Sequence, residues 1–132
     1  MSNENNLNES EEKIITAIRQ DGYIEILINS KAFLRDEAKE FQIQTRSAIE
    51  NEETKFLVNF KDCEYISSEG LGCIADFWRK CSENDNFIMV SLFNQKSVNE
   101  LLNFFEIIGL ARVMQGYVFT DERKAKNFIK SK

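Results

Sequence analysis

The segment Tyr65 to Gly72, YISSEGLG, sets two hydroxyls, a carboxylate and two glycines between an apolar run and a run with helical spacing. Ser67 or Ser68 can cap the free amides of a helix's first turn, and Glu69 is favourable against the positive end of the helix dipole. Glycine at 70 and 72 keeps the surface beside that start flat. One role for such a segment is purely structural, a capped and closely packed helix. A second role follows from the same chemistry. An exposed serine at a helix start is a good phosphate position, because the amides and the dipole tolerate added negative charge. A partner docked on the flat face would be repelled or released by the phosphate, making modification a switch.

Other chemistries fit poorly. Gly70-Leu71-Gly72-Cys73-Ile74-Ala75 satisfies G-x-G-x-x-A, but that dinucleotide fingerprint needs its glycines directly after a strand and an acid about 20 residues on. Here Lys61 to Ser67 intervene, and the next strand ends at Phe93-Asn94. No phosphate-binding G-x-x-x-x-G-K-[ST] loop occurs. The chain has no histidine, the commonest general base, so no serine has a histidine partner. Cys63, Cys73 and Cys81 are odd in number and lack C-x-x-C spacing, which reads as buried reduced thiols rather than metal ligands. Asp62 and Glu64 read as solvated loop charges rather than a catalytic pair. No cofactor, metal or catalytic centre is expected, and the chain reads as a non-enzyme.

The 132 residues suit one core, and 42% apolar with 30% charged residues describe an ordinary globular protein. A net charge of −5 argues against a nucleic-acid partner, which needs a basic patch to release counterions. No apolar run approaches the roughly 18 residues of a spanning helix, and the start lacks the basic end and apolar stretch of a signal peptide. No direct membrane insertion is expected, and the expected location is the cytoplasm. Residues 1–11 carry too little apolar surface to offset ordering and read as a disordered tail. Residues 12–132 read as a single domain.

The elements that must position the serines follow from periodicity. Lys13 to Ile18 and Tyr23 to Ile28 flank Asp21-Gly22 as a hairpin. Leu34, Ala38, Phe41, Thr45, Ala48 and Ile49 form one helical stripe. Lys55 to Phe60, KFLVNF, is apolar on both faces, as a central strand covered on two sides would be. Leu71, Ile74, Ala75, Trp78 and Cys81 stripe a second helix starting near Ser68. In that helix Trp78 reads as core, and Phe77 beside it as pointing to a partner surface. Phe87 to Phe93 is a strand. Val98, Leu101, Leu102, Phe105 and Ile108 stripe a third helix closed by Gly109 in a left-handed conformation. Val113 to Thr120 is a fifth strand, and Asp121-Glu122 opens a last helix with Ala125, Phe128 and Ile129 inward. Its lysines, Lys124, Lys126, Lys130 and Lys132, suit a helix C-terminus. The order β-β-α-β-α-β-α-β-α argues for an α/β fold with a mixed, mostly parallel sheet and helices packed against it.

With these residues in place the chain resembles a STAS domain, specifically the bacterial anti-sigma-factor antagonists. That family carries a strand, a segment of the type D-S-S-G-L-G and a helix, where this chain has FKDCEYISSEGLGCI. The resemblance runs from Lys13 to Ile129 and includes FFEIIGLARVMQGYVFTDERKAKNFI, a helix ending in G-L, a short strand and an acidic-started helix. It implies a regulator that binds a kinase-type anti-sigma factor or related serine kinase and is inactivated by phosphorylation in this loop, with a phosphatase as a further partner. Aligned on Gly70, the family's phosphoacceptor position holds Glu69, the residue before it is Ser68, and the family's aspartate falls on Ser67. Three readings stay open: Ser68 takes the phosphate, Glu69 is a permanent negative charge, or no phosphorylation occurs. The partner contact would comprise Ser67, Ser68, Glu69, Gly70, Leu71, Gly72 and Phe77. The family's G-E-L-D stretch falls on Lys31-Ala32-Phe33-Leu34, and its central-strand acid becomes Asn59. The alternative is a STAS scaffold or transport-associated accessory domain without phosphorylation.

Overall fold

Gly22, at φ 89°, turns the chain between β1 (Ile15–Arg19) and β2 (Ile24–Ile28), an antiparallel hairpin closed by Gln20 N–H donating to the Tyr23 carbonyl at 2.8 Å. The computed structural model describes residues 14–107, 109 and 116–132, apart from the side chains of 97, 98, 100 and 105. The expected tail, the start of the expected strand at Val113 and the stripe positions Val98, Phe105 and Ile108 lie outside the described residues.

Alternation of parallel strands and helices builds the rest. The chain continues through β3 (Ala32–Phe33), α1 (Arg35–Glu50), β4 (Lys55–Phe60), β5 (Tyr65–Ile66) and α2 (Ser68–Ser82). It ends with β6 (Ile88–Phe93), α3 (Gln95–Ile107), β7 (Val118–Phe119) and α4 (Glu122–Lys130). The main sheet has the order β1-β2-β4-β6-β7, parallel except at the β1–β2 hairpin. The mixed, mostly parallel sheet is thus as the patterning predicted. A second, two-stranded parallel sheet, β3 with β5, was not predicted, because two-residue strands carry no periodicity.

β4 shows why the sheet is central. Phe56, Val58 and Phe60 join one buried cluster with α1 and α2, while Leu57 joins a second with Ala125 and Ile129 of α4. Edge-to-face ring contacts run from Phe33 to Phe41 to Phe77 to Phe56, each worth about 0.5–1.5 kcal/mol beyond area burial. Phe77 is therefore a correction. It is 6% exposed in the core, not on a partner surface, because α2 is covered by the sheet on one side and by α1 on another. Trp78 is buried as expected.

The α1 stripe holds for Ala38, Phe41, Thr45 and Ala48, but Leu34 precedes the helix and is 41% exposed. In α3 Leu101 is buried whereas Leu102 faces outward; Gly109 takes φ 81° as expected of a closing residue. Asp121 caps α4 by accepting from Lys124 N–H at 3.1 Å. The three cysteines are free and buried, and burial pushes the Cys63 and Cys73 thiols up to about 11 and Cys81 to about 12. No helix among the described residues is long and apolar enough to cross a membrane.

Candidate functional site

Two parallel βα units place the serines. β3 runs straight into α1 and β5 into α2, and their pairing, Ala32 with Tyr65 and Phe33 with Ile66, sets the two helix starts side by side. The Lys31 carbonyl accepts from Glu64 and Tyr65 N–H at 2.7 and 3.1 Å, and the Phe33 carbonyl accepts from Ser67 N–H at 3.1 Å. Asn94, at the end of β6, holds the approach by donating from Nδ2 to the Lys61 and Cys63 carbonyls at 3.0 and 2.7 Å.

Within that frame the two serines part company. Ser67 is the N-cap of α2: its half-buried Oγ accepts from Gly70 N–H at 3.0 Å and lies 3.4 Å from the Phe33 carbonyl. Ser68 is exposed at the first helical position, and its hydroxyl makes no hydrogen bond among the described residues. Glu69, exposed, pairs with Arg35 Nη2 at 3.2 Å. This pair, open to water, contributes little to stability. It does hold the Glu69 carboxylate over the start of α1.

The glycines also differ. Gly70 is buried, and a Cβ there would stand 2.5 Å from the Phe33 carbonyl oxygen and 2.7 Å from its ring. Its work is close packing of α2 on β3, rather than the flat contact surface expected of it. A Cβ at Gly72 would meet nothing within 4 Å, so no close approach requires a glycine there. Leu71 is half-buried against the core.

Neither a protein-family profile nor a curated protein matches the chain by sequence. Solved structures do match. The anti-sigma factor antagonist SpoIIAA in its unphosphorylated form superposes with a TM-score of 0.67 at 14% identity, covering 89% of this chain and 97% of that one. The fold is that of a STAS domain. The murine Slc26a9 anion transporter, in its inward-facing state, also matches, with a TM-score of 0.67 at 9% identity over 87% of this chain and 19% of that one. The chain therefore spans about a fifth of that transporter's length.

Seen on the STAS fold, three neighbours of the serines were missed by sequence reasoning: Arg35, Leu34 and Tyr65. Tyr65 is 55% exposed, and it and Leu34 lie where the paired strands meet the helix starts. For Leu34 a signal was present in the placement of Lys31 to Leu34 on the family's G-E-L-D stretch. That stretch is β3, the partner of β5.

The place of the family's central acid is instructive. Asn59, buried on β4, donates from Nδ2 to Glu25 Oε2 at 2.9 Å and accepts Lys61 N–H at 3.0 Å. Glu25, itself 5% exposed on β2, also accepts from Gln20 Nε2 at 3.1 Å. Beside this pair Glu122 bonds to Lys61 and Lys126, both at 2.9 Å. The Lys61 hydrogen bond is the main cause that lowers the Glu122 carboxyl, and the bond to Glu122 raises both ammonium groups. The network ties α4 to the strand end that leads into the serine segment.

The distinct roles of the serines have a measurable consequence. Ser67→Ala should cost about 1 kcal/mol of unfolding free energy, the usual loss for an N-cap, while Ser68→Ala should stay within about 0.5 kcal/mol. Urea denaturation of both variants checks this. Equal losses would mean that the cap is not where the hydrogen bond places it.

Proposed function

We propose that this STAS domain is an anti-sigma-factor-antagonist-like regulator that binds a kinase-type anti-sigma factor, or a related serine kinase, through Ser67, Ser68, Glu69, Leu71 and Gly72 at the opening turns of α2. Ser68 is the phosphoacceptor, and a phosphatase resets it. The protein acts in the cytoplasm by reversible association rather than by catalysis. The observation carrying this reading is the exposed hydroxyl of Ser68, without a hydrogen bond among the described residues, on a helix start whose cap is already supplied by Ser67. Adding phosphate to Ser68 leaves that cap in place, and the helix dipole favours the charge. A partner seated over the same turn would have to desolvate the phosphate, which is costly without a matching cation. The likeness to SpoIIAA, an anti-sigma factor antagonist, supports the same class.

A second reading is favoured by Glu69. It occupies the family's acceptor position, carries a charge already and pairs with Arg35, as a scaffold or transport-associated domain without a switch would allow. Incubation with the cognate kinase and ATP, followed by mass spectrometry, separates the two. The expected product is a single phosphate on Ser68; a protein that stays unmodified on both Ser67 and Ser68 leaves the scaffold reading. Ser68→Asp should weaken the partner complex about tenfold or more, measured by calorimetry, and unchanged affinity would rule out this face as the contact.

A further inference from the structure

Arg35 stands at the wrong end of its helix. It is the first residue of α1, where the positive end of the dipole disfavours a cation. Its exposed guanidinium reaches across to Glu69 of α2 at 3.2 Å, a contact that returns little stability. The Glu37 carboxylate, in the same first turn as Arg35, is used otherwise: its Oε1 accepts the Leu34 N–H at 2.9 Å. The register of β3 on β5 pairs Ala32 with Tyr65 and Phe33 with Ile66; carried two residues on, it brings Arg35 beside Ser68, the first residue of α2. The 3.1 Å bond from Ser67 N–H to the Phe33 carbonyl continues that ladder past the strand ends. Glu69 follows Ser68 directly, so a phosphate on Ser68 would stand next to a carboxylate. Like charges that close repel unless a cation answers them.

We infer that Arg35 is the receptor of that phosphate: once Ser68 is phosphorylated, the guanidinium leaves the Glu69 carboxylate and binds the phosphate across the two helix starts. This inference rests on Ser68 being the phosphoacceptor. A phosphate carries about −1.5 to −2 charge and three strong acceptor oxygens, and its geometry matches the guanidinium fork, so it outcompetes a carboxylate for the same arginine. Arg35 and Glu69 are both exposed, and the exchange asks only for side-chain rotation. Lys96, on α3, is engaged elsewhere, with Glu64 at 3.8 Å. Before phosphorylation the Arg35–Glu69 pair is neutral; afterwards the phosphate, Arg35 and Glu69 together carry about −2, with Glu69 released. A partner that fits the neutral pair then meets two anions. Arg35 is thus a positioning residue for the switch, which accounts for a cation where the dipole disfavours one.

Phosphoserine introduced at position 68 during translation of the full chain tests the receptor without a kinase. The phosphorus resonance followed against pH at low salt reads the second ionisation of the phosphate, ordinarily at about 6. Arg35→Gln should raise it by about half a pH unit, because the cation that favours the dianion is gone. Arg35→Lys keeps the charge without the fork and should recover part of the difference. Arg46→Gln removes the same charge from an exposed position far along α1 and should leave the ionisation where it was. The proposal is overturned by an ionisation that Arg35→Gln does not move, by an equal rise in Arg46→Gln, or by no recovery with lysine. The two readings fail separately. A Ser68 left unmodified in the kinase assay would remove the acceptor, whereas a phosphate indifferent to Arg35 would remove the receptor alone.

Discussion

Gly70→Ala should lower the unfolding free energy by about 2–3 kcal/mol or prevent folding, whereas Gly72→Ala, two residues on in the same helix, should raise it by up to about 1 kcal/mol. Helix propensity alone favours alanine at both positions, so their difference isolates the steric term. At position 70 the new methyl would stand 2.5 Å from a backbone oxygen, 2.7 Å from the Phe33 ring and 3.2 Å from Ile66 Cγ2. None of these can give way cheaply. The oxygen is the Phe33 carbonyl that accepts the Ser67 N–H, and the Phe33 ring is fully buried against Phe41 and Phe60. Relief therefore means lifting α2 from β3, which would displace Ser67 and Ser68 as well. Urea unfolding measures the stabilities, and partner affinity should fall for Gly70→Ala while Gly72→Ala keeps its fold. Two variants of equal stability would show that the helix does not sit this close to β3.

Asn59→Asp, which restores the acid that the family resemblance expects, should destabilise the protein by on the order of 2–4 kcal/mol at pH 7.5 and far less near pH 4.5. Asn59 now offers an N–H to the Glu25 carboxylate at 2.9 Å, and both residues are buried. The substitution sets two carboxylates against each other there. Like charges in one buried site hold one proton strongly, so one carboxyl of the pair is raised in the folded state above its unfolded value of about 4. A raised group gives stability that is complete below the unfolded value and lost as pH climbs toward and through the folded one. The loss thus appears between weakly acid and neutral pH. Lys126 lies close enough to Glu25 to be raised by it, and Tyr23 is also near; the Lys126 ammonium offsets part of the repulsion. Adding Glu25→Gln to Asn59→Asp returns the site to one carboxylate and should recover most of the loss. Unfolding curves at the two pH values decide the matter: a pH-independent loss, or no rescue by the second substitution, would remove the Glu25–Asn59 bond as the cause.

These two positions also show what can be read along a chain and what cannot. The sequence by itself determined the α/β order, the hairpin at Asp21-Gly22, the two-sided burial of β4, the helix start at Ser68 and the closing turn at Gly109. All of these are local: a period of two or about 3.6, a cap or a left-handed glycine is encoded within a few residues. It also carried the resemblance that anticipated the STAS fold. Tertiary structure alone decided that Ser67 caps while Ser68 stands free, that Gly70 packs while Gly72 faces open space, that Phe77 is core, and that Arg35 reaches Glu69. Each depends on β3 lying beside β5, a pairing of residues more than 30 positions apart in strands too short to leave a periodic trace. Likewise Asn59 looks like a lost acid along the chain and becomes a partner to Glu25 only once β2 and β4 are adjacent. Periodicity reports which face of an element is buried; what the face is buried against is settled by the other elements.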